Sequence, residues 1–252
     1  VNDAPAVVPS AGATPYTEGA VAIVIDSGLS ISDPDSSTYA SATVQVTSGF
    51  LTGFDTLAFT NTAGMGNIAA AAFNTATGLL TLTSAGGTAT DAQWEAALRA
   101  VTFQTTSSSP GTSRVIGFAV NDGGATSTVA SKSIAITEVN SAPTMTLASG
   151  SVAFTEDAGA VTVDNALTVA DGDGTTLTGA TVTITTGFTS GQDTLSFTGT
   201  GSITGSYNGT TGVLTLSGSG TLAEYQTVLR SVAFNNTSNT PSTTTRTLEF
   251  QV

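Results

Sequence analysis

The sequence predicts an all-β protein built as two tandem Greek-key β-sandwich domains, each with one short helical turn. Short segments alternate apolar and polar residues, as in residues 43–47, where Val44 and Val46 face the same side. Turn-forming sequences such as residues 74–78 and 122–124 separate these segments. Many short strands joined by regular turns are typical of a β-sandwich. The third observation is an internal repeat, which indicates two copies of one domain.

The repeat is visible along the whole chain. Residues 1–5 (VNDAP) recur as residues 139–143 (VNSAP), at an offset of 139 − 1 = 138. The offset falls to 225 − 94 = 131 between residues 94–103 and 225–234. Small deletions in turns explain this drift, because loops tolerate changes in length. The predicted domains are residues 1–138 and residues 139–252.

The second copy is shorter than the first. Its residues 250–252 align with residues 118–120, whereas the first copy continues for another 139 − 120 = 19 residues to Val139. The missing part corresponds to the last strand of the domain. We expect a continuing chain to supply that strand, and a strand from another chain is the alternative.

Each copy contains one segment with helical character. Residues 90–93 and 221–224 both fit the capping-box pattern, with Thr at the cap and Gln or Glu three positions later. Trp94 and Leu98 then lie four residues apart, and the second copy has Tyr225 in place of the tryptophan. We interpret these residues as a helical turn that closes one end of the core.

Composition excludes several classes of function. The chain carries 18 acidic residues against 5 basic ones, for a net charge of −13. No nucleic-acid partner is expected, because such binding depends on basic groups that neutralise phosphates. The chain has no Cys and no His, which excludes thiol nucleophiles, disulfides, zinc fingers and histidine bases. It has no run of about 18 apolar residues, so direct membrane insertion is not expected.

Acidic and amide side chains recur at the predicted strand ends and form the candidate metal ligands. Oxygen ligands of this kind suit calcium, which accepts six to eight of them. We expect Glu18 and Glu138 to meet Asp171 and Asp173 where the two domains join. The alternative is that these acids are solvated turn residues that cap backbone amides. The candidate ligands are Asn2, Asp3, Glu18, Asp33, Asp35, Asp122, Glu138, Asn140, Glu156, Asp171 and Asp173.

Three ordered motifs resemble the cadherin repeat. Residues 116–124 (IGFAVNDGG) resemble its A-x-D-x-G strand end, and residues 138–143 (EVNSAP) resemble its D-x-N-D-N-x-P linker. The D-x-D of cadherins is matched by residues 33–35 and 171–173. The chain is most similar to the cadherin-like repeats of very large bacterial surface adhesins that open with VNDAP. This resemblance implies Ca²⁺ at the interdomain linkers, with Glu18 and Glu156 in the place of a ligand glutamate.

The chain also departs from the cadherin pattern. Ser141 replaces the second Asp of the linker motif, Glu138 stands where an Asp is usual, and the D-R-E ligand segment is absent. These departures predict that the linker at Asn140 holds fewer ions than the linker at Asn2 and Asp3.

Two further pairs of residues recur in both copies. Asp55 and Asp193 follow Gly in matched turns, and we interpret them as turn formers, with extra calcium ligands as the alternative. Arg99 and Arg230 follow Leu on the helical segment. We expect each arginine to pair with a local carboxylate or with helix carbonyls.

The predicted function is structural and adhesive. We expect spacer modules of a large bacterial cell-surface or secreted protein, with calcium stiffening the linkers and neighbouring repeats of the same chain as partners. The chain is not expected to be an enzyme, because its carboxylates lie at the domain ends and are duplicated. The alternatives are a subunit of a self-assembling extracellular filament or surface layer, in contact with other copies of itself, and a metal-free module that binds surface glycans or proteins.

Overall fold

A computed structural model describes all 252 residues and divides into two compact units, Val1–Val139 and Asn140–Val252. Strands in layered sheets dominate both units, and each unit contains one α-helix. The predicted all-β, sandwich-like fold class is therefore confirmed. Each unit has its own hydrophobic core.

Unit 1 contains thirteen strands, one α-helix and a short 3₁₀ turn at Ala85–Gly87. These elements are β1 (Ala6–Val8), β2 (Thr14–Thr17), β3 (Ile23–Val24), β4 (Ser30–Ser32), β5 (Thr38–Tyr39), β6 (Ser41–Ser48), β7 (Asp55–Ala58), β8 (Ile68–Ala70), β9 (Leu79–Ser84), β10 (Ala89–Thr90), α1 (Asp91–Arg99), β11 (Thr102–Thr105), β12 (Ser113–Asn121) and β13 (Ala130–Thr137).

Two main sheets form the layers of unit 1. One has six strands in the order β2-β13-β12-β6-β9-β8, and the other has three in the order β3-β11-β7. Burial alternates along β6 and β13, because successive side chains of a strand point to opposite faces. Strand β13 pairs antiparallel with β12 and parallel with β2, so it lies inside its sheet. Two short pairs, β1-β4 and β10-β5, complete the unit.

The predicted helical turn of unit 1 is a nine-residue helix, α1. The Gln93 side chain accepts a hydrogen bond from the Thr90 N–H at 2.9 Å, as the capping-box pattern predicts. Trp94 is completely buried, and its indole N–H donates to the Tyr39 carbonyl at 2.9 Å. This burial confirms that the tryptophan serves the core. Arg99 pairs with the carboxylate of Glu95 at 3.0 Å, as expected, and also donates to the Leu29 carbonyl at 2.6 Å.

Unit 2 contains nine strands and one α-helix. They are β14 (Thr144–Thr146), β15 (Val161–Thr162), β16 (Thr168–Ala170), β17 (Thr176–Thr186), β18 (Asp193–Ser196), β19 (Thr204–Asn208), β20 (Val213–Thr221), α2 (Leu222–Arg230), β21 (Ala233–Asn236) and β22 (Thr247–Gln251).

The sheets of unit 2 repeat those of unit 1 with fewer strands. A four-stranded sheet has the order β19-β20-β17-β22, and a three-stranded sheet has the order β15-β21-β18. Tyr225 of α2 is fully buried at the position of Trp94, and Thr221 and Glu224 form a complete capping box. Strand β22 pairs only with β17, so its other edge has no neighbouring strand in this unit.

A buried ion pair joins the two sheets of each unit. In unit 1, Arg114 of β12 donates through Nε and Nη2 to Asp55 of β7, at 2.6 and 3.1 Å. In unit 2, Arg246 donates in the same way to Asp193, at 3.2 and 3.1 Å. All four side chains are almost fully inaccessible to solvent. Both aspartates also accept from the N–H groups of residues 51 and 189 in their turns, which confirms the turn interpretation.

Substitution of Arg114 tests how much the buried ion pair contributes to the free energy of unfolding. The variant Arg114→Ala leaves the Asp55 carboxylate buried without its charged partner, which costs about 3–5 kcal/mol of unfolding free energy. The variant Arg99→Ala is the matched control, because the Arg99–Glu95 pair is partly exposed and such pairs contribute about 0–1 kcal/mol. Urea unfolding measures both. Equal losses for the two variants would contradict a special role for the buried pair.

Candidate functional site

The acidic and amide residues at one end of unit 1 come together as hydrogen-bonded pairs. The Asn2 side chain donates to Asp122 Oδ2 at 2.9 Å. The Asp3 N–H donates to Asp35 Oδ2 at 3.0 Å. The start of the chain is thereby held against two loops that are distant in sequence. Four of the predicted ligands therefore lie at the same end of this unit.

Asp33 is the most enclosed acid of this group. Its Oδ1 accepts hydrogen bonds from the N–H groups of Asp35 and Ser36, both at 3.1 Å, which is the geometry of an Asx turn. Its Oδ2 is buried and has no hydrogen-bond partner. A buried oxygen without a partner is costly, because it has lost water and gained nothing in return.

Asp91 and Tyr39 belong to the same end of unit 1, although the sequence analysis did not find them. Burial raises the pKa of Tyr39, and the nearby carboxylates of Asp91, Asp33 and Asp122 raise it further. No aligned hydrogen bond joins Tyr39 to Asp91, and the Tyr39 hydroxyl and Asp91 Oδ1 are both buried without a partner. The second copy has Leu177 and Leu222 at these positions, at offsets of 177 − 39 = 138 and 222 − 91 = 131. A search for recurring acids therefore could not detect them.

Asp122 is held in its charged form. The Ala125 N–H, the Asn2 side chain and the Gly124 N–H donate to its carboxylate, and these hydrogen bonds lower its pKa below the ordinary value of 3.8. A carboxyl group with a lowered pKa stays ionised at neutral pH and keeps its negative charge available.

The two predicted glutamates of unit 1 are both bound to the backbone near the end of this unit. Glu18 Oε2 accepts a hydrogen bond from the Val139 N–H at 3.0 Å, and Glu138 Oε1 accepts one from the Gly111 N–H at 3.0 Å. The Glu18 N–H also donates to the Thr137 carbonyl at 2.9 Å. Each glutamate thus has one oxygen engaged by the backbone.

The beginning of unit 2 repeats the arrangement around the first D-x-D. Asp173 Oδ2 accepts a hydrogen bond from the Ser141 N–H at 2.7 Å, as Asp35 does from Asp3. Asp173 Oδ1 is buried and has no partner. The Gly174 N–H and Asp173 donate to Asp171 and lower its pKa below the ordinary value. The Asn140 side chain donates to the Ser141 carbonyl at 2.9 Å.

Glu156 is separate from these groups. It lies at the rim of a groove in unit 2, next to Phe154, and makes no hydrogen bond with Asp171 or Asp173. The structure therefore does not bring it together with the other predicted ligands of its unit.

The donor sets fit calcium only in part. Their chemistry suits it, because carboxylate and amide oxygens and backbone carbonyls are the ligands that calcium prefers. Buried oxygens of Asp33 and Asp173 have no other partner. However, no group of three or more acidic side chains is placed closely enough to hold a metal ion. Most of the predicted carboxylates accept from backbone N–H groups instead.

Comparisons with known proteins give one partial sequence match. No family model matches the chain. Halomucin of Haloquadratum walsbyi is 46% identical over 81 residues, which is 30% of this chain and 1% of Halomucin. The match thus spans about a hundredth of that protein's length. The C-terminal domain of the AgI/II polypeptide BspA of Streptococcus agalactiae is 12% identical, with 78% of this chain and 73% of that one covered, at a TM-score of 0.19. That similarity is too low to support an argument. Neither α-helix of the structure has the length and apolar character required to span a membrane.

Titration of Asp122 tests the geometry at the end of unit 1. The variant Asn2→Ala removes one of the donors to the carboxylate, so the pKa of Asp122 should rise towards 3.8 but stay below it, because the Ala125 and Gly124 N–H groups remain. The lowered pKa favours the folded state at pH values above 3.8, and this contribution disappears as the pH falls through the folded-state pKa.

Carboxyl carbon NMR in the presence of a chelator measures this pKa directly. The variant Asn140→Ala is the control, because Asn140 has the equivalent place in unit 2 and leaves the donors of Asp122 intact. An Asp122 pKa that is the same in Asn2→Ala as in the parent chain would show that the Asn2 hydrogen bond does not form in solution.

Proposed function

We propose that the chain forms two consecutive spacer modules of a long extracellular surface protein, and that calcium bound at the module ends stiffens them. The observation that carries this proposal is the D-x-D loop at the start of both units. Each loop contains a buried carboxylate oxygen with no hydrogen-bond donor, Oδ2 of Asp33 in unit 1 and Oδ1 of Asp173 in unit 2.

A cation resolves the electrostatic problem at these loops. In unit 1, the carboxylates of Asp33, Asp91 and Asp122 all act electrostatically on the buried hydroxyl of Tyr39 and raise its pKa. Like charges repel, and a buried carboxylate oxygen without a partner is unfavourable. Calcium accepts ligands in flexible geometries and includes backbone carbonyls among them.

The linker between the modules is the second place for calcium in this proposal. Glu18 accepts a hydrogen bond from the Val139 N–H, next to Glu138 in the sequence, and Asp173 of the Asp171–Asp173 loop accepts one from the Ser141 N–H. We propose that these four side chains, together with Asn140, share calcium across the linker. Its removal leaves the carboxylates to repel each other, so the linker becomes flexible.

The spacer role rests on the tandem organisation of the chain. Two modules of one design follow each other directly, and their cores are separate. Halomucin is about a hundred times as long as the segment that it shares with this chain, so modules related to these occur in very long proteins. A long protein of repeated modules suits a surface fibre. Catalysis is not part of the proposal.

A glycan-binding role is less well supported. Sugar recognition commonly uses exposed aromatic side chains, which stack on the sugar rings, and among the large apolar residues that are clearly exposed only Phe54 is aromatic. The other aromatic rings contribute to the cores.

Calorimetric melting in chelator and then in about 5 mM calcium tests the metal sites. A ligand at about 100 times its Kd adds about 2.7 kcal/mol per site, so the melting temperature should rise by several degrees. The double variant Asp171→Asn and Asp173→Asn should reduce the rise for unit 2, and Asp33→Asn with Asp122→Asn should reduce it for unit 1. Asparagine retains an oxygen for the backbone N–H groups, so these variants remove charge and leave the turns.

Two controls make the result specific. Glu249→Gln removes a charge from an exposed position on β22 and should leave the calcium response unchanged. Magnesium at the same concentration should have a smaller effect, because it requires a stricter octahedron and retains water. If calcium leaves the melting temperature unchanged, the acids serve only as turn caps and the calcium part of the proposal is wrong.

A further inference from the structure

An open groove lies along the free edge of β22 in unit 2. It has a volume of about 660 Å³, and its apolar floor includes Phe154, Val163, Phe234, Leu248 and Phe250. Asp164 and Arg246 stand among these apolar residues. Strand edges that expose apolar side chains are unusual, because unpaired N–H and C=O groups beside an apolar surface invite another strand.

The matching place in unit 1 is filled. Residues 114–120 align with residues 246–252 at an offset of 252 − 120 = 132. Ile116 and Phe118 are completely buried, whereas their counterparts Leu248 and Phe250 are partly exposed. The covering element in unit 1 is β13, which pairs with β12 on one side and with β2 on the other.

We propose that the groove of unit 2 is a docking site for a β-strand that residues 1–252 do not contain, with the inward pattern Lys-x-Ile-x-Ile. This pattern is that of β13, whose Lys132, Ile134 and Ile136 point inward while the residues between them are exposed. The added strand supplies backbone hydrogen bonds along the open edge, and its alternate side chains fill the groove.

The internal repeat defines the register of the docked strand. In unit 1, Ile134 is opposite Arg114, Lys132 is opposite Ile116, and the strand runs antiparallel to β12. The equivalent isoleucine is therefore opposite Arg246, and the equivalent lysine is opposite Leu248. On its other side the strand runs parallel to residues 152–155, as β13 does to β2. Residues 152–155 form no strand in unit 2, which is consistent with the absence of their partner.

A charged anchor for the lysine is already present. In unit 1, Lys132 is buried, donates to the Ser10 carbonyl at 3.0 Å and lies 3.9 Å from Asp26 Oδ2. Asp26 accepts from the N–H groups of Ser10 and Gly28. Asp164 accepts in the same way from the N–H groups of Ala148 and Ala166, the residues at the equivalent positions. No basic residue forms a salt bridge with Asp164, so its carboxylate can take the lysine in the way that Asp26 takes Lys132.

A second copy of the chain is not the proposed occupant. The strand of suitable chemistry in this chain is β13, and it is held between two strands of unit 1. Its donation to a neighbour would open the six-stranded sheet and expose Lys132 and Ile134. The proposed strand therefore comes from polypeptide outside these residues. None of the groove residues named above is a proposed calcium ligand, so strand docking does not require calcium.

The experiment adds a synthetic peptide with the sequence of residues 127–138 to the whole chain. Hydrogen exchange of residues 247–251 and 152–155 is measured with and without the peptide. We expect exchange in both segments to slow by at least about 10-fold at saturation. The same peptide fused after Val252, through a copy of residues 121–126, gives a second measurement that does not depend on affinity.

Two matched peptides identify the contacts. A peptide with Ile134→Asn and Ile136→Asn should not protect β22, because it cannot fill the groove. A peptide with Lys132→Met should bind about 10-fold more weakly than the parent peptide. This difference should disappear in the variant Asp164→Asn, which keeps the acceptor oxygen for Ala148 and removes the charge.

Two results would overturn the proposal. One is unchanged exchange at residues 247–251 with both the free and the fused peptide. The other is protection of β22 that rises with protein concentration in the absence of peptide, together with a dimer mass by light scattering. The second result would assign the groove to another copy of this chain.

Discussion

The buried pairing of an arginine with an aspartate across the sandwich is the interaction on which the rest of each unit depends. Asp55 begins β7 in one sheet, and Arg114 lies near the start of β12 in the other. The arginine also donates through Nη1 to the carbonyls of Pro110 and Ser113, so four of its five N–H groups are engaged. The guanidinium is planar and its N–H donors have fixed directions, so the two hydrogen bonds to Asp55 fix how β12 lies against β7. Apolar contacts are not directional and do not do this. The alignment of β12 in turn places Asp122 at the end of the unit.

The acidic side chains at the ends of the units stabilise the loops there. Most of the carboxylates accept from backbone N–H groups in the turns, which stabilises loops that have no regular structure. The same carboxylates have second oxygens that these turns do not use. The turns thus occupy only one side of each carboxylate, and the loops are ordered by their own backbone hydrogen bonds.

Much of the fold can be predicted from the sequence, because alternation, capping boxes and the internal repeat are local patterns. The helix that buries Trp94 follows from its capping residues and from spacing. The Arg114–Asp55 pair could not be predicted, although both residues recur in the second copy. The two residues are far apart in the sequence, and no local pattern shows which acidic residue pairs with which basic one. Asp91 and Tyr39 were missed for the opposite reason, since Leu222 and Leu177 replace them. The internal repeat points to acidic residues that occur in both copies, and it gives no signal for residues that occur in only one copy.

The five basic residues of the chain are all engaged within their own units. Arg114 and Arg246 are in buried pairs, Lys132 is buried under a strand, and Arg99 and Arg230 donate to backbone carbonyls behind their helices. A protease that cleaves after lysine or arginine must take that side chain into its pocket with the adjoining backbone extended. Here each such side chain is tied to a helix, a strand or a strand start, so cleavage has to wait for local unfolding. The arrangement that holds the sandwiches together thus also hides the chain from the commonest class of digestive protease.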